Sequence, residues 1–204
     1  MDSTITLVIL AITCLFSIFC FGNREWFSRL EFNAYQVVRR KQYYRLISHG
    51  FVHGSWMHLL INMLVFFSFG GAVEGYYEKY AIGGGAAYLV LCLLTIPLSS
   101  LSSLRKYRDN PNYNAVGASG AVNAVIFSFV FLDPWRKLYL FFALPIPGII
   151  FGGLFLWYSY AMSKKENDGI GHDAHFLGAI FGILFTAIFI PGSMTNFFAR
   201  LIDF

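Results

Sequence analysis

The chain has 204 residues, of which 57% are hydrophobic, 19% aromatic and only 13% charged, with a formal net charge of +4. A soluble domain carries roughly 25% charged residues, so this composition excludes an ordinary water-facing surface and makes lipid the solvent for much of the molecule. The excess of Lys and Arg does not form a basic run interleaved with stacking residues, which excludes a nucleic-acid interface.

Charge is absent from six windows: 4–22, 46–73, 81–104, 114–132, 138–163 and 174–199. A helix needs about 20 apolar residues to cross a hydrocarbon core of about 30 Å. A charge at mid-bilayer costs on the order of 3 kcal/mol by insertion scales, which explains why the charges gather between the windows. The pattern predicts one all-α domain over 1–204, a bundle of six membrane spans at about 4–22, 56–75, 81–104, 114–132, 138–163 and 174–192. The first window is read as a span, because it lacks the positive leading region of a signal peptide and Cys20-Phe21-Gly22-Asn23 is a poor cleavage site.

The first connection, 23–55, is the longest. Trp26, Phe27, Phe32, Tyr35, Tyr43 and Tyr44 mix there with Arg24, Arg29, Arg39, Arg40, Lys41 and Arg45, a composition suited to the headgroup zone. It is expected to lie folded on or partly in one leaflet. Pro145 and Pro147 interrupt the fifth window and suggest a kinked helix. Cys14, Cys20 and Cys92 fall inside spans and read as buried thiols. His49 and His172 read as surface or interfacial histidines.

Polar residues within spans carry the chemistry, because hydrocarbon offers them no partner. At the start of the fourth span, Gly117-Ala118-Ser119-Gly120 sets a serine among small residues. Its hydroxyl is unshielded, another helix can approach closely, and glycine backbone amides can face an oxyanion. In the sixth, His175, Gly178, Ala179 and Gly182 fall at i, i+3, i+4 and i+7 and share one helix face. In the second, His58 and Asn62 are four apart on one face and can both donate hydrogen bonds. Alone, each group also fits a bland role: a packing serine, a histidine near a helix start, a structural polar pair. Together they supply a nucleophile, a base and oxyanion donors. The chain has no His-Glu-x-x-His run for zinc and no Asp inside a span for an aspartyl dyad, and no cofactor or metal is called for.

From about Tyr43 to Phe189 the sequence resembles the rhomboid family of intramembrane serine proteases. The resemblance rests on Tyr44-Arg45, His53 to Asn62, Gly70-Gly71-Ala72-Val73-Glu74, Gly117-Ala118-Ser119-Gly120, and Ala174-His175 followed by Gly178 and Gly182. It implies a Ser119–His175 dyad without an acidic third member. His58, Asn62 and backbone amides at Gly117 and Ser119 would hold the oxyanion. Gly120, Gly178 and Gly182 would pack the helices. Substrates would be single-pass transmembrane proteins cut at easily unwound segments after a small residue. The alternative is a catalytically inactive relative that binds membrane proteins for quality control. One position departs: four residues past the nucleophile, where the family often has an aromatic that supports the histidine ring, stands Asn123.

Orientation is contested. The odd-numbered loops hold 11 of the 15 Lys and Arg residues, which by the positive-inside rule puts them in the cytoplasm. The resemblance implies the reverse, with both termini cytoplasmic and the site opening outward, in a bacterial inner (plasma) membrane. The family topology is preferred here, since a folded first loop counts poorly in a charge rule.

Overall fold

In the computed structural model, residues 3–140, 143–163 and 171–202 are described. The first charge-free window forms α1 (Thr4–Phe21). The long first connection then folds as α2 (Arg24–Leu30), a two-residue strand β1 (Phe32–Asn33), α3 (Ala34–Arg40), α4 (Arg45–Ser48) and one 3-10 turn at His49–Phe51. Asn23 and Asn33 start α2 and α3 by accepting from the backbone amides of Trp26 and Gln36, the favoured use of Asn at an N-cap. Arg45 is buried and donates to the carbonyls of Ser28 and Glu31 at 2.8 and 2.7 Å. The connection is thus a packed element, with Phe32, Ala34 and Val37 forming a small core of their own.

Next come α5 (Trp56–Tyr80), α6 (Gly85–Ser99) and α7 (Leu101–Lys106). Strand β2 (Asn114–Ala115) pairs antiparallel with β1, placing Phe32 opposite Ala115 and Asn33 opposite Asn114. The helix α8 (Ser119–Leu132) follows and is buried along most of its length. Among the described residues, four helical stretches are long and apolar enough to cross a membrane, 4–21, 56–80, 85–106 and 172–189, and two shorter apolar helices accompany them. Large apolar side chains point outward on successive helices, among them Leu15, Leu60, Trp157 and Ile188. An outer surface of this kind belongs in lipid, and the protein is a multi-pass membrane protein.

The fifth window departs from expectation. Helix α9 runs only from Gly148 to Ser163, without the kink expected from Pro145 and Pro147. Residues Lys137–Leu140 and Leu144–Pro147 instead form β3 and β4, an antiparallel hairpin; residues 141 and 142 of the expected span lie outside the described ones. The cause is local. A residue before proline is pushed out of the helical region, and Leu144-Pro145-Ile146-Pro147 applies that restriction twice in four residues. The fourth span likewise starts late, at Ser119, because 114–115 is a strand. The sixth is α10 (His172–Phe189), and α11 (Ser193–Ile202) returns beneath α8, where Arg200 bonds the Leu132 carbonyl and lies 3.6 Å from Asp133.

A fully buried carboxylate at the edge of a charge-free window has a clear task. Glu74, on α5, accepts from the amides of Ile5 and Thr6 at 2.8 Å each and from the Thr6 hydroxyl at 2.7 Å. It thereby satisfies the orphan amides of α1 and places negative charge at that helix's positive end. Glu74→Ala leaves these donors unpaired in a buried setting. The expected loss is about 3 kcal/mol, measurable as a lowered unfolding midpoint in detergent.

Candidate active site

Ser119 is the first residue of α8 and Ala118 its N-cap. The helical ladder begins with Val122 N–H donating to the Ala118 carbonyl at 2.9 Å. The amides of Ser119, Gly120 and Ala121 therefore precede it, at the helix end that favours negative charge. The approach to Ser119 is fixed from the first connection. Strand β2 is held by β1, and Asn33 Nδ2 donates to Asn114 Oδ1 at 2.7 Å. Gly117 N–H donates to the His49 carbonyl at 2.9 Å. Ala118 N–H donates to His53 Nε2 at 3.4 Å.

Gly117 lies two residues before Ser119. Its amide, the donor foreseen for an oxyanion, is committed to His49. Its value is conformational: φ is +116°, a backbone region that suits glycine, and a Cβ there would lie 2.7 Å from His58 Cε1 and 2.9 Å from Nε2. A bare Cα lets the His58 ring lie against the loop. Ser55 caps α5 by accepting from the His58 amide at 3.2 Å. Asn62 Nδ2 donates to the His58 carbonyl at 2.9 Å, using one of its two N–H donors.

His175 lies in the first turn of α10, its amide bonded to the Gly171 carbonyl at 3.0 Å. The helix meets α8 at backbone contact. A Cβ on Gly178 would overlap the Gly120 carbonyl, and one on Gly182 the Ala124 carbonyl. A Cβ on Gly120 would in turn overlap the Ser99 hydroxyl of α6. Three helices close on this seam, and Ser119 and His175 stand at its open end. A cavity of about 930 Å³ lies there, lined by Ser119, His175, His58, Asn62, Asn123 and Phe155 among others. The Asn123 side chain bonds back to the Ser119 carbonyl at 2.8 Å. Two rings lie near His175, Phe155 of α9 at 6.3 Å and His172 edge-on at 6.0 Å. Among the described residues no three His, Cys, Asp or Glu side chains converge as a metal site.

His49 and His172 are buried rather than interfacial. His49 Nε2 shares a hydrogen bond with Ser100 Oγ at 3.0 Å, because the first connection folds back against α6. Of the three free thiols Cys20 and Cys92 are buried and Cys14 half-buried. Burial holds His49 down to about 4 and His53 down to about 3. Both values lie below the unfolded value of about 6.5, so the unfolded chain takes up protons first as pH falls. The stability these groups contribute is complete above about pH 6.5 and is lost as pH drops toward 4. Unfolding midpoints in detergent should hold steady from pH 8 to 7 and fall below 6.5, and His49→Gln should flatten that fall.

The chain is similar in sequence to known proteins. The chain is 29% identical over 143 residues to RHOMBOID-like protein 12, mitochondrial, of Arabidopsis thaliana, covering 66% of this chain and 43% of that protein. It is 28% identical over 152 residues to Rhomboid-related protein 1 of Caenorhabditis elegans, covering 72% and 40%. It is 27% identical over 161 residues to Rhomboid protease GlpG of Haemophilus influenzae, covering 76% and 73%. The chain thus spans less than half of the first two relatives. The family model for the Rhomboid domain matches residues 40–192, from the end of α3 past the end of α10. Since that stretch holds the cavity, the seam and most of the bundle, the chain belongs to the rhomboid family.

Proposed function

We propose that this protein is an intramembrane serine endopeptidase in which Ser119 is the nucleophile and His175 its general base. The observation that carries the reading is the convergence of Ser119, His175, His58 and Asn62, from three helices, on one cavity of about 930 Å³. His175 takes the hydroxyl proton as Ser119 Oγ attacks the scissile carbonyl carbon. The oxyanion is held by the Ser119 amide at the start of α8 and by His58 and Asn62. Collapse expels the amine, which receives the proton from His175 and leaves an ester on Ser119. Water, deprotonated by His175, hydrolyses the ester, and the serine leaves with its proton restored.

Hydrolysis inside a membrane requires a wet site, and a cavity of this volume has room for many water molecules. A helical substrate hides its carbonyls, so it must be extended at the cut. The substrates proposed are single-pass transmembrane proteins whose spans unwind easily, with a small residue before the scissile bond. The cavity is proposed to open to the non-cytoplasmic side of a bacterial plasma membrane, against the charge bias of the loops; Lys164 and Lys165, part of that bias, lie outside the described residues. A tag in the loop at Asn110 should be cut by protease added outside intact cells.

A fluorophosphonate probe tests the chemistry on one gel. The detergent-solubilised protein should be labelled, and Ser119→Ala should not. Absence of labelling in the wild-type protein overturns the protease reading and leaves an inactive binder of membrane proteins.

A further inference from the structure

A chain of hydrogen bonds links α1 to the loop before Ser119. Ser17 is fully buried; its hydroxyl lies 3.0 Å from the Phe51 carbonyl and 2.9 Å from His53 Nδ1. A carbonyl can only accept and a serine hydroxyl carries one proton. With that proton given to Phe51, His53 must donate from Nδ1 to Ser17 Oγ. Its Nε2 is then a bare acceptor, as the amide of Ala118 requires. The tautomer is fixed by what surrounds the ring. The same ring, with 0% of its surface exposed, meets the His58 ring edge-on at 4.9 Å and 75°.

We propose that His53 is a positioning residue, a neutral Nδ1–H imidazole that holds the Ala118 peptide and props the His58 ring. Nucleophile loop and oxyanion donor are thereby set in one register from a single side chain. The inference rests on the protease reading, and it assigns His53 no contact with substrate. Two consecutive peptides before Ser119 are tied outward, Gly117 N–H to His49 and Ala118 N–H to His53. The amide of Ser119 is the next in line, and its direction follows from theirs. A protonated His53 would offer Ala118 no acceptor; burial opposes that charge and keeps the ring neutral to about pH 3.

The two ring nitrogens can be separated by substitution. The amide oxygen of His53→Gln reaches roughly the place of Nε2 and keeps an acceptor for Ala118. The shorter His53→Asn reaches only the place of Nδ1 and loses that acceptor. The readouts are the rate of fluorophosphonate labelling at Ser119 and the kcat and KM for a transmembrane substrate, alongside the unfolding midpoint. His53→Asn should slow labelling and lower kcat by about tenfold or more with KM little changed, whereas His53→Gln should stay within about threefold of wild type. The two variants should share a similar drop in midpoint. If both slow equally, or if rate follows midpoint, His53 is merely structural and the inference is overturned. Should His53→Asn fail to fold, Ser17→Ala decides: it frees the tautomer with the ring still in place, and labelling at the wild-type rate refutes the assignment. A folded wild-type protein that takes no label refutes the protease reading and this inference with it, a result distinct from the others.

Discussion

His175→Ala is expected to lower kcat for a transmembrane substrate by about 10⁴-fold while the protein stays folded, and Ser119→Ala to do the same. The double variant should be no slower than either single one, because a nucleophile without its base and a base without its nucleophile both lack the same step. The half-exposed setting of both residues supports intact folding: each faces the cavity, so truncation to alanine removes few packing contacts. An additive loss in the double variant, or turnover retained by either single one, would show that the hydroxyl and the imidazole act apart. His58→Ala is expected to cost less, about 10²-fold, since one oxyanion donor is lost while the Ser119 amide and Asn62 remain.

The bundle was legible because charge is expensive in hydrocarbon. The windows free of Asp, Glu, Lys and Arg foretold α1, α5, α6, α8, α9 and α10, and the small-residue stripe of α10 foretold its contact with α8. Helix starts were not legible where a strand or a proline pair competes with apolarity. Residues 138–147 belong to an apolar window, yet two X-Pro steps favour extended backbone over 144–147, and α9 begins at Gly148. Glu74 falls just past the charge-free window 46–73 and at the end of the span read at 56–75, whereas α5 runs on to Tyr80 and buries it.

Within the site, Ser119 was nominated from its small-residue setting and His175, His58 and Asn62 from helical spacing, and all four line one cavity. The residues that hold the loop before Ser119 were not. His49, His53 and Ser17 act through a folded connection, and neither a 3.6-residue nor a 2-residue period records which loop carbonyl or imidazole will meet a distant amide. The available signal was the density of histidine in 49–58, three in ten residues beside a membrane span, which is costly unless each ring finds a partner. Gly117 was singled out for a donated amide, but its role follows from φ and from the space beside His58, which sequence spacing does not encode.

Gly178→Ala is expected to damage both stability and catalysis, although alanine is the mildest replacement and favours helices by about 1 kcal/mol over glycine. Its Cβ would overlap the carbonyl of Gly120 and lie 2.9 Å from the adjoining carbonyl carbon. Backbone atoms of two packed helices cannot swing aside as a side chain can, so α10 must move away from α8. In lipid this contact is held by close packing rather than by exclusion of water, and parting it should cost about 3 kcal/mol. Gly182→Ala meets the Ala124 backbone in the same way and should cost a similar amount. The two differ in reach: Gly178 is one turn from His175 and directly against the residue after Ser119, while Gly182 is a further turn along the seam. Activity should therefore fall further in Gly178→Ala than in Gly182→Ala at equal loss of midpoint. Gly153→Ala on α9 is the control, because nothing lies within 4 Å of its added Cβ, and helix propensity alone should leave it as stable as wild type or slightly more so. If Gly178→Ala unfolds at the wild-type midpoint and cleaves at the wild-type rate, α8 and α10 do not meet at backbone contact, and the geometry that joins Ser119 to His175 is lost with it.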